Sequence, residues 1–247
     1  MKIKKLPLNL LITVLIFSIN NAPCLGAQQD FFKSSPRYEI PFSLILASFF
    51  LDKTIQNMAL RNQTKSNDKL FEIDRYYGDK IITGASLLGF YGFSYLTKNE
   101  RMKSLSEKAI LSTAVSVIVV VGLKEITGRS RPYKNHGNLH FKPFAFKESR
   151  RSFPSGHTAV TFAISTVFAD EIDNTIWKLF WYGAAVTVAA ARIYKNQHWV
   201  SDVFTGGAIG FYVAKKTSEM YKNKKATPYF GMAFKNDALQ FSVQVKF

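Results

Sequence analysis

The 247-residue sequence contains four histidines, and two of them stand where an imidazole could do chemistry. His198 lies four residues before Asp202, which puts both on one face of a helix. A carboxylate at that spacing can hold one ring nitrogen protonated and leave the other free to attack. Arg192 just upstream offers a planar fork suited to phosphate oxygens. His157 ends the run Ser152-Phe153-Pro154-Ser155-Gly156-His157, ahead of an apolar stretch. Pro and Ser are common at helix starts. The same start aims free backbone N–H groups at an anion, and Gly156 lets a phosphate come close. His157 would then sit where it could protonate a leaving group. A third block runs from Lys124 to Arg131-Pro132, with its two basic residues seven apart. That is two helical turns, so both could project from one face if the helix persists. Each block alone also has an ordinary reading: a solvated ion pair, a helix cap, and cations drawn to a helix C-terminus.

Position along the chain links the three blocks. Apolar stretches read as helices over Ile40–Met58, Ile81–Thr97, Ala109–Lys124, His157–Ala169, Leu179–Arg192 and Trp199–Val213. The expected fold is all-α, a bundle of about six core helices. The blocks fall at the end of the third helix, the start of the fourth, the end of the fifth and the start of the sixth. In an up-and-down bundle those four termini share one end, so the basic residues, the two histidines and Asp202 would converge there. Capping alone does not explain such a convergence.

The pattern Lys-x6-Arg-Pro, then Pro-Ser-Gly-His, then Arg-x5-His-x3-Asp resembles that of the type 2 phosphatidic acid phosphatase (PAP2) and vanadium haloperoxidase superfamily. The resemblance covers about residues 70–213. It implies a metal-independent phosphatase of the bacterial exported branch, acting through a phosphohistidine. Catalytic roles would fall to His198 as nucleophile, Asp202 as its orienting carboxylate and His157 as acid and then base. Lys124, Arg131, Ser155, Gly156 and Arg192 would hold the equatorial phosphate oxygens. The family usually has Ser before the arginine of the third motif, where this chain has Ala191. No cofactor is implied, and vanadate is expected to inhibit as a phosphate mimic. Two readings of other classes stand beside this one: a vanadate-dependent haloperoxidase, which uses the same shell, and a non-catalytic anion- or membrane-binding module. His136 and His140 have ligand-type spacing, but no metal site is expected from that spacing alone.

Composition bounds the partners. An apolar share of 47% with 22 Phe excludes a disordered chain. The formal charge of +16 favours anionic partners, whether nucleic acid, an anionic membrane surface or phosphorylated substrates, and does not choose among them. The family resemblance implies phosphorylated small molecules or lipid phosphates such as phosphatidate, undecaprenyl diphosphate or lipid A. A nucleic-acid partner is not expected. Residues 1–27 read as a secretory signal, with Lys2, Lys4 and Lys5 ahead of an apolar run and small residues at Gly26 and Ala27. The only cysteine, Cys24, lies inside it, which fits export to a bacterial periplasm. The phosphatase domain then spans 28–225.

Whether the helices cross a membrane turns on length. The intervals between charged or His side chains hold 12, 17, 15, 12, 13 and 12 residues, below the ~20 that a span needs. Mean hydropathy is −0.03. With the signal cut, six spans would also leave the catalytic end on the cytoplasmic side. The expectation is a periplasmic bundle, docked on a membrane. After Lys225 the period changes to strand-like alternation, so residues 226–247 read as a β-hairpin ending on Phe247.

Overall fold

The computed structural model describes residues 42–222, 227–235 and 238–246, so the expected signal at 1–27 lies outside the described residues. The chain is an all-α bundle. Its helices are α1 (Phe42–Arg61), α2 (Lys65–Leu70), α3 (Lys80–Leu96), α4 (Glu100–Thr127), α5 (Gly156–Ala169), α6 (Thr175–Tyr194) and α7 (Val200–Lys222). All six expected core helices are present. The short α2 and the 3-10 turn Phe71–Arg75 are additional, and that turn packs against α6.

Caps explain most of the shifted boundaries. Asn99 accepts from the Met102 amide and starts α4 nine residues before Ala109. The charged first turns of α4 stay helical because Arg101 and Lys108 both pair with Glu171. Asn174 likewise caps α6 through the Trp177 amide. Gly128 ends α4 in the left-handed region at φ 55°, which a residue with a β-carbon adopts at a cost. A β-carbon there would also lie 1.7 Å from the Lys142 carbonyl oxygen. Two results correct the sequence reading. The seven-residue step from Lys124 to Arg131 is not two helical turns, because Gly128 stops the helix between them. The apolar interval counted as 15 residues belongs to a 28-residue helix, so α4 is long and apolar enough to cross a membrane.

The centre of the bundle is α5, which packs against α4, α6 and α7. Its Val160, Ile164 and Val167 form the core with Leu87, Leu105, Ala109 and Ala214. Contact with α7 runs backbone to backbone: a β-carbon on Gly206 would lie 2.4 Å from the Ser155 carbonyl oxygen, and one on Gly210 would lie 2.1 Å from that of Ala159. This small-residue seam lets the two helices approach far closer than ordinary side chains allow. It also brings the starts of α5 and α7, which carry His157 and Asp202, side by side. The strands β1 (Thr227–Lys235) and β2 (Ala238–Lys246) pair antiparallel, from Thr227 opposite Lys246 to Lys235 opposite Ala238.

Candidate active site

His198 lies in the short connection between α6 and α7 and is only 3% exposed. Its Nδ1 is 2.8 Å from the Ser152 carbonyl oxygen. A carbonyl oxygen only accepts, so Nδ1 carries the proton and the lone pair lies on Nε2. This corrects one detail of the sequence reading: Asp202 is 3.6 Å from Nδ1, beyond hydrogen-bond reach, and acts on the ring as a nearby charge. Burial, with Lys124 and Arg192 adding to it, keeps His198 well below the usual imidazole range, against the opposing pull of Asp202. The ring is therefore neutral at pH 7, as a nitrogen nucleophile must be.

Asp202 belongs to a buried network. Arg129 donates to Asp202 Oδ1 at 2.5 Å, while Ser152 Oγ (2.5 Å) and the Trp199 amide (2.8 Å) donate to Oδ2. The other arm of the Arg129 guanidinium reaches Asp52 of α1 at 2.5 Å. Asp52 in turn accepts from the Ser201 amide and hydroxyl, both at 2.9 Å. Rings of Phe49, Phe141, Phe153 and Trp199 surround the guanidinium. Burial alone would raise Asp202; Arg129 first, then His198 and Ser152, hold it at about 2. His198 thus lies beside a fully ionised and fully hydrogen-bonded carboxylate.

On the other side of the site, His157 and Arg192 line an open cleft of about 680 Å³, together with Asp68, Glu72, Asp74, Asp79, Lys195 and Gln197 among others. Burial foremost, then Arg192, lowers His157 to about 4, with Lys124 contributing in the same direction. An arriving phosphate would neutralise those cations and raise it. Arg192 Nη1 donates to Asp74 at 2.8 Å, and Lys195 pairs with the second oxygen of Asp74. Burial pushes Asp74 up, but Lys195 and Arg192 together bring it below the usual carboxylate range. Arg192 Nε is buried with no hydrogen-bond partner among the described residues. A buried donor without an acceptor is costly, and an anion would satisfy it.

The remaining expected phosphate ligands gather here as well. Gly156 opens α5, and a β-carbon on it would lie 3.9 Å from Lys124 Cε, so cradle and ammonium face each other. Ser155 occupies the N-cap position but does not cap; its hydroxyl is 2.9 Å from that of Thr158. The first amides of α5 therefore lack a side-chain acceptor from their own cap. Lys124 Nζ donates to the Arg151 carbonyl at 2.5 Å. Arg131 reaches Gln197 Oε1 at 2.8 Å and pairs with Glu148. Such a shell fits a tetrahedral oxyanion: helix amides, an ammonium and two guanidinia around two neutral imidazoles.

A family model described as the PAP2 superfamily matches residues 108–226, a span that holds every one of these expected site residues. Residues 108–226, just under half of the chain, thus match the PAP2 superfamily. Sequence relatives agree: the chain is 28% identical over 193 residues to a lipid A 1-phosphatase of Porphyromonas gingivalis, covering 74% of this chain and 38% of that one. A lipid A 1-phosphatase of Rhizobium etli is 30% identical over 101 residues, or 40% of this chain and 43% of the relative. The chain therefore spans about two-fifths of the length of these relatives. Among solved structures, Aquifex aeolicus LpxE matches with a TM-score of 0.54 at 24% identity, over 68% of this chain and 95% of that one. A transmembrane PAP2-type phosphatidylglycerolphosphate phosphatase of Bacillus subtilis matches with a TM-score of 0.57 at 18% identity, over 74% and 94%. These two likenesses concern the fold.

Several residues of this site escaped the sequence reading. Arg129 lies inside the first motif block but looked like one cation among several. Asp52 and Asp74 fall outside the span matched by the family model. A usable signal existed for Asp52, a lone carboxylate in an apolar helical stretch, because burying such a charge requires a partner. His136 and His140 face each other with ring centroids 5.1 Å apart, and Ser130 Oγ is 3.0 Å from His136 Nδ1. No third potential ligand joins them among the described residues.

Proposed function

We propose that this chain is a lipid phosphate phosphatase that works through a phosphohistidine on His198. His198 Nε2 would attack phosphorus while the bond to the leaving oxygen breaks, with His157 giving that oxygen its proton. Water would then attack the phosphohistidine, with His157 taking the water proton, releasing phosphate and restoring free His198. Lys124, Arg131, Arg192, Ser155 and the Gly156 amide would hold the three equatorial oxygens, where charge accumulates. The observation that carries the reading is the state of His198: buried, neutral, protonated on Nδ1, with Nε2 left to attack. No step needs a metal, because fixed cations supply the charge. Vanadate should occupy the same shell and inhibit.

The relatives named as lipid A 1-phosphatases favour a phosphate borne on a lipid-linked sugar as substrate. A membrane setting has support in α4, whose apolar window is only 22% buried in the bundle. Apolar side chains also face outward on α1, α3 and α6, among them Phe50, Ile81, Leu96 and Ile176. A bundle with that much exposed apolar surface is expected to lie against lipid. The basic, apolar and small-residue order of residues 1–27 supports export to the periplasm. The test is His198→Ala assayed on a long-chain lipid phosphate and on a soluble ester. Phosphate release should drop to background on both; undiminished release would exclude the mechanism.

A further inference from the structure

The loop between α4 and α5 carries a surface that the phosphate shell does not use. It contains Lys142-Pro143-Phe144-Ala145-Phe146-Lys147, two aromatic residues bracketed by two lysines. Phe144 is 61% and Phe146 67% exposed, and both lysines are exposed. Both phenylalanines have left-handed backbones, at φ 55° and 48°. Residues with a β-carbon avoid that region, so two in one short segment are held there by the surrounding structure. That conformation turns both rings outward instead of into the core.

What covers those rings follows from where the loop sits. The Phe144 amide donates to the Glu125 carbonyl at 2.7 Å, which places the segment on the last turn of α4. One and two turns below, Val121 and Ile118 are exposed on the same face of that helix. The rings thus extend the outward apolar stripe of α4 to its catalytic end. Exposed charge at this level is one-sided: Lys134, Lys142 and Lys147 are exposed in residues 128–154, against the single carboxylate Glu148. An apolar tip ringed by cations matches the boundary of a leaflet, where rings enter the acyl region and lysines reach anionic headgroups.

We propose that Phe144 and Phe146, with Lys142 and Lys147, anchor the catalytic end in the headgroup layer of an anionic lipid leaflet. This deepens the proposed function, on which its catalytic part rests. The anchor leads directly into the turn at Glu148–Arg150, where the Ser149 carbonyl accepts from the Arg131 amide at 3.0 Å and Glu148 pairs with the Arg131 guanidinium. Insertion would therefore hold the cleft at the level at which a lipid phosphate emerges.

The experiment compares the full chain with the Phe144→Ser/Phe146→Ser variant on two substrates. One is p-nitrophenyl phosphate in solution; the other is a long-chain lipid phosphate in vesicles containing anionic phospholipid. Turnover of the soluble ester should stay within roughly twofold, while kcat/KM on vesicles falls about tenfold or more, chiefly through KM. Equal losses on both substrates, or no loss on vesicles, would overturn the anchor. A nitroxide at Phe146→Cys in a Cys24→Ser background reads insertion without turnover. In anionic vesicles it should be open to oxygen and shielded from an aqueous nickel chelate. Unshielded nickel access sinks the proposal, as does lipid-independent spin–spin broadening, which would assign the patch to a second copy of the chain. Should the label insert while the wild-type chain releases phosphate from neither substrate, the anchor stands and the phosphatase reading fails.

Discussion

The two histidines occupy opposite kinds of surroundings. His198 is sealed behind the Ser152 carbonyl and a carboxylate whose acceptors are filled by Arg129, Ser152 and Trp199. His157 borders an open cleft, and its protonation depends on the cations and carboxylates across from it. A nucleophile benefits from one fixed geometry, since misplacement costs rate directly. An acid that must later act as a base benefits from a pKa that the substrate can move. The fold thus fixes one histidine and leaves the other adjustable.

The sealed side should break hardest. Arg129→Ala leaves Asp52 and Asp202 buried without their cation, and a loss of about 3–5 kcal/mol in unfolding free energy is expected. Denaturant unfolding checks this, and Arg129→Lys should rescue little because one ammonium cannot serve both carboxylates. The adjustable side should respond to chemistry instead. His157→Gln is expected to lower turnover of alkyl phosphates about 100-fold or more, and p-nitrophenyl phosphate much less, because nitrophenolate leaves without a proton. A leaving-group series measures that contrast; equal losses across it would remove His157 as the acid.

Smaller effects sharpen the contrast. Asp74 is the strongest of the charges that raise His157, so Asp74→Asn should push the His157 pKa lower still and shift the alkaline limb of the kcat/KM profile, where the acid loses its proton, to lower pH. It should also strengthen inhibition by inorganic phosphate several-fold, by removing a carboxylate that competes for Arg192. The smallest expected effect is on stability. The His157 pKa falls from 6.5 to about 4 on folding, so its contribution is complete above pH 6.5 and lost as pH drops toward 4. Melting temperature should decline across that window in the wild type and less steeply in His157→Gln. Identical slopes would mean that His157 is not held neutral by burial.

Most of the site was legible because its residues lie in short blocks at helix ends, where spacing translates into position. Lys124, His157, Arg192 and His198 could be assigned to one end of the bundle from the order of apolar stretches alone. What could not be read was long-range pairing. Asp52 meets Arg129 and Ser201 across 77 and 149 residues, and no local pattern encodes such a contact. The extent of α4 was hidden for a related reason: charges at Arg101 and Lys108 looked like a boundary, and their partner Glu171 lies beyond the next helix. The cap at Gly128 was visible as a glycine, but its effect on the Lys124-to-Arg131 step depended on its left-handed backbone.

The glycine seam between α5 and α7 has a consequence for how such a site can change. Because Gly206 and Gly210 let carbonyl groups of one helix touch the other directly, the gap between the ends that carry His198 and His157 is gauged by main chain. Core side chains elsewhere can drift in size without resetting that gauge, and loops such as the one bearing Phe144 can be remade for new surfaces. The reaction and the choice of substrate are thereby free to evolve at separate rates.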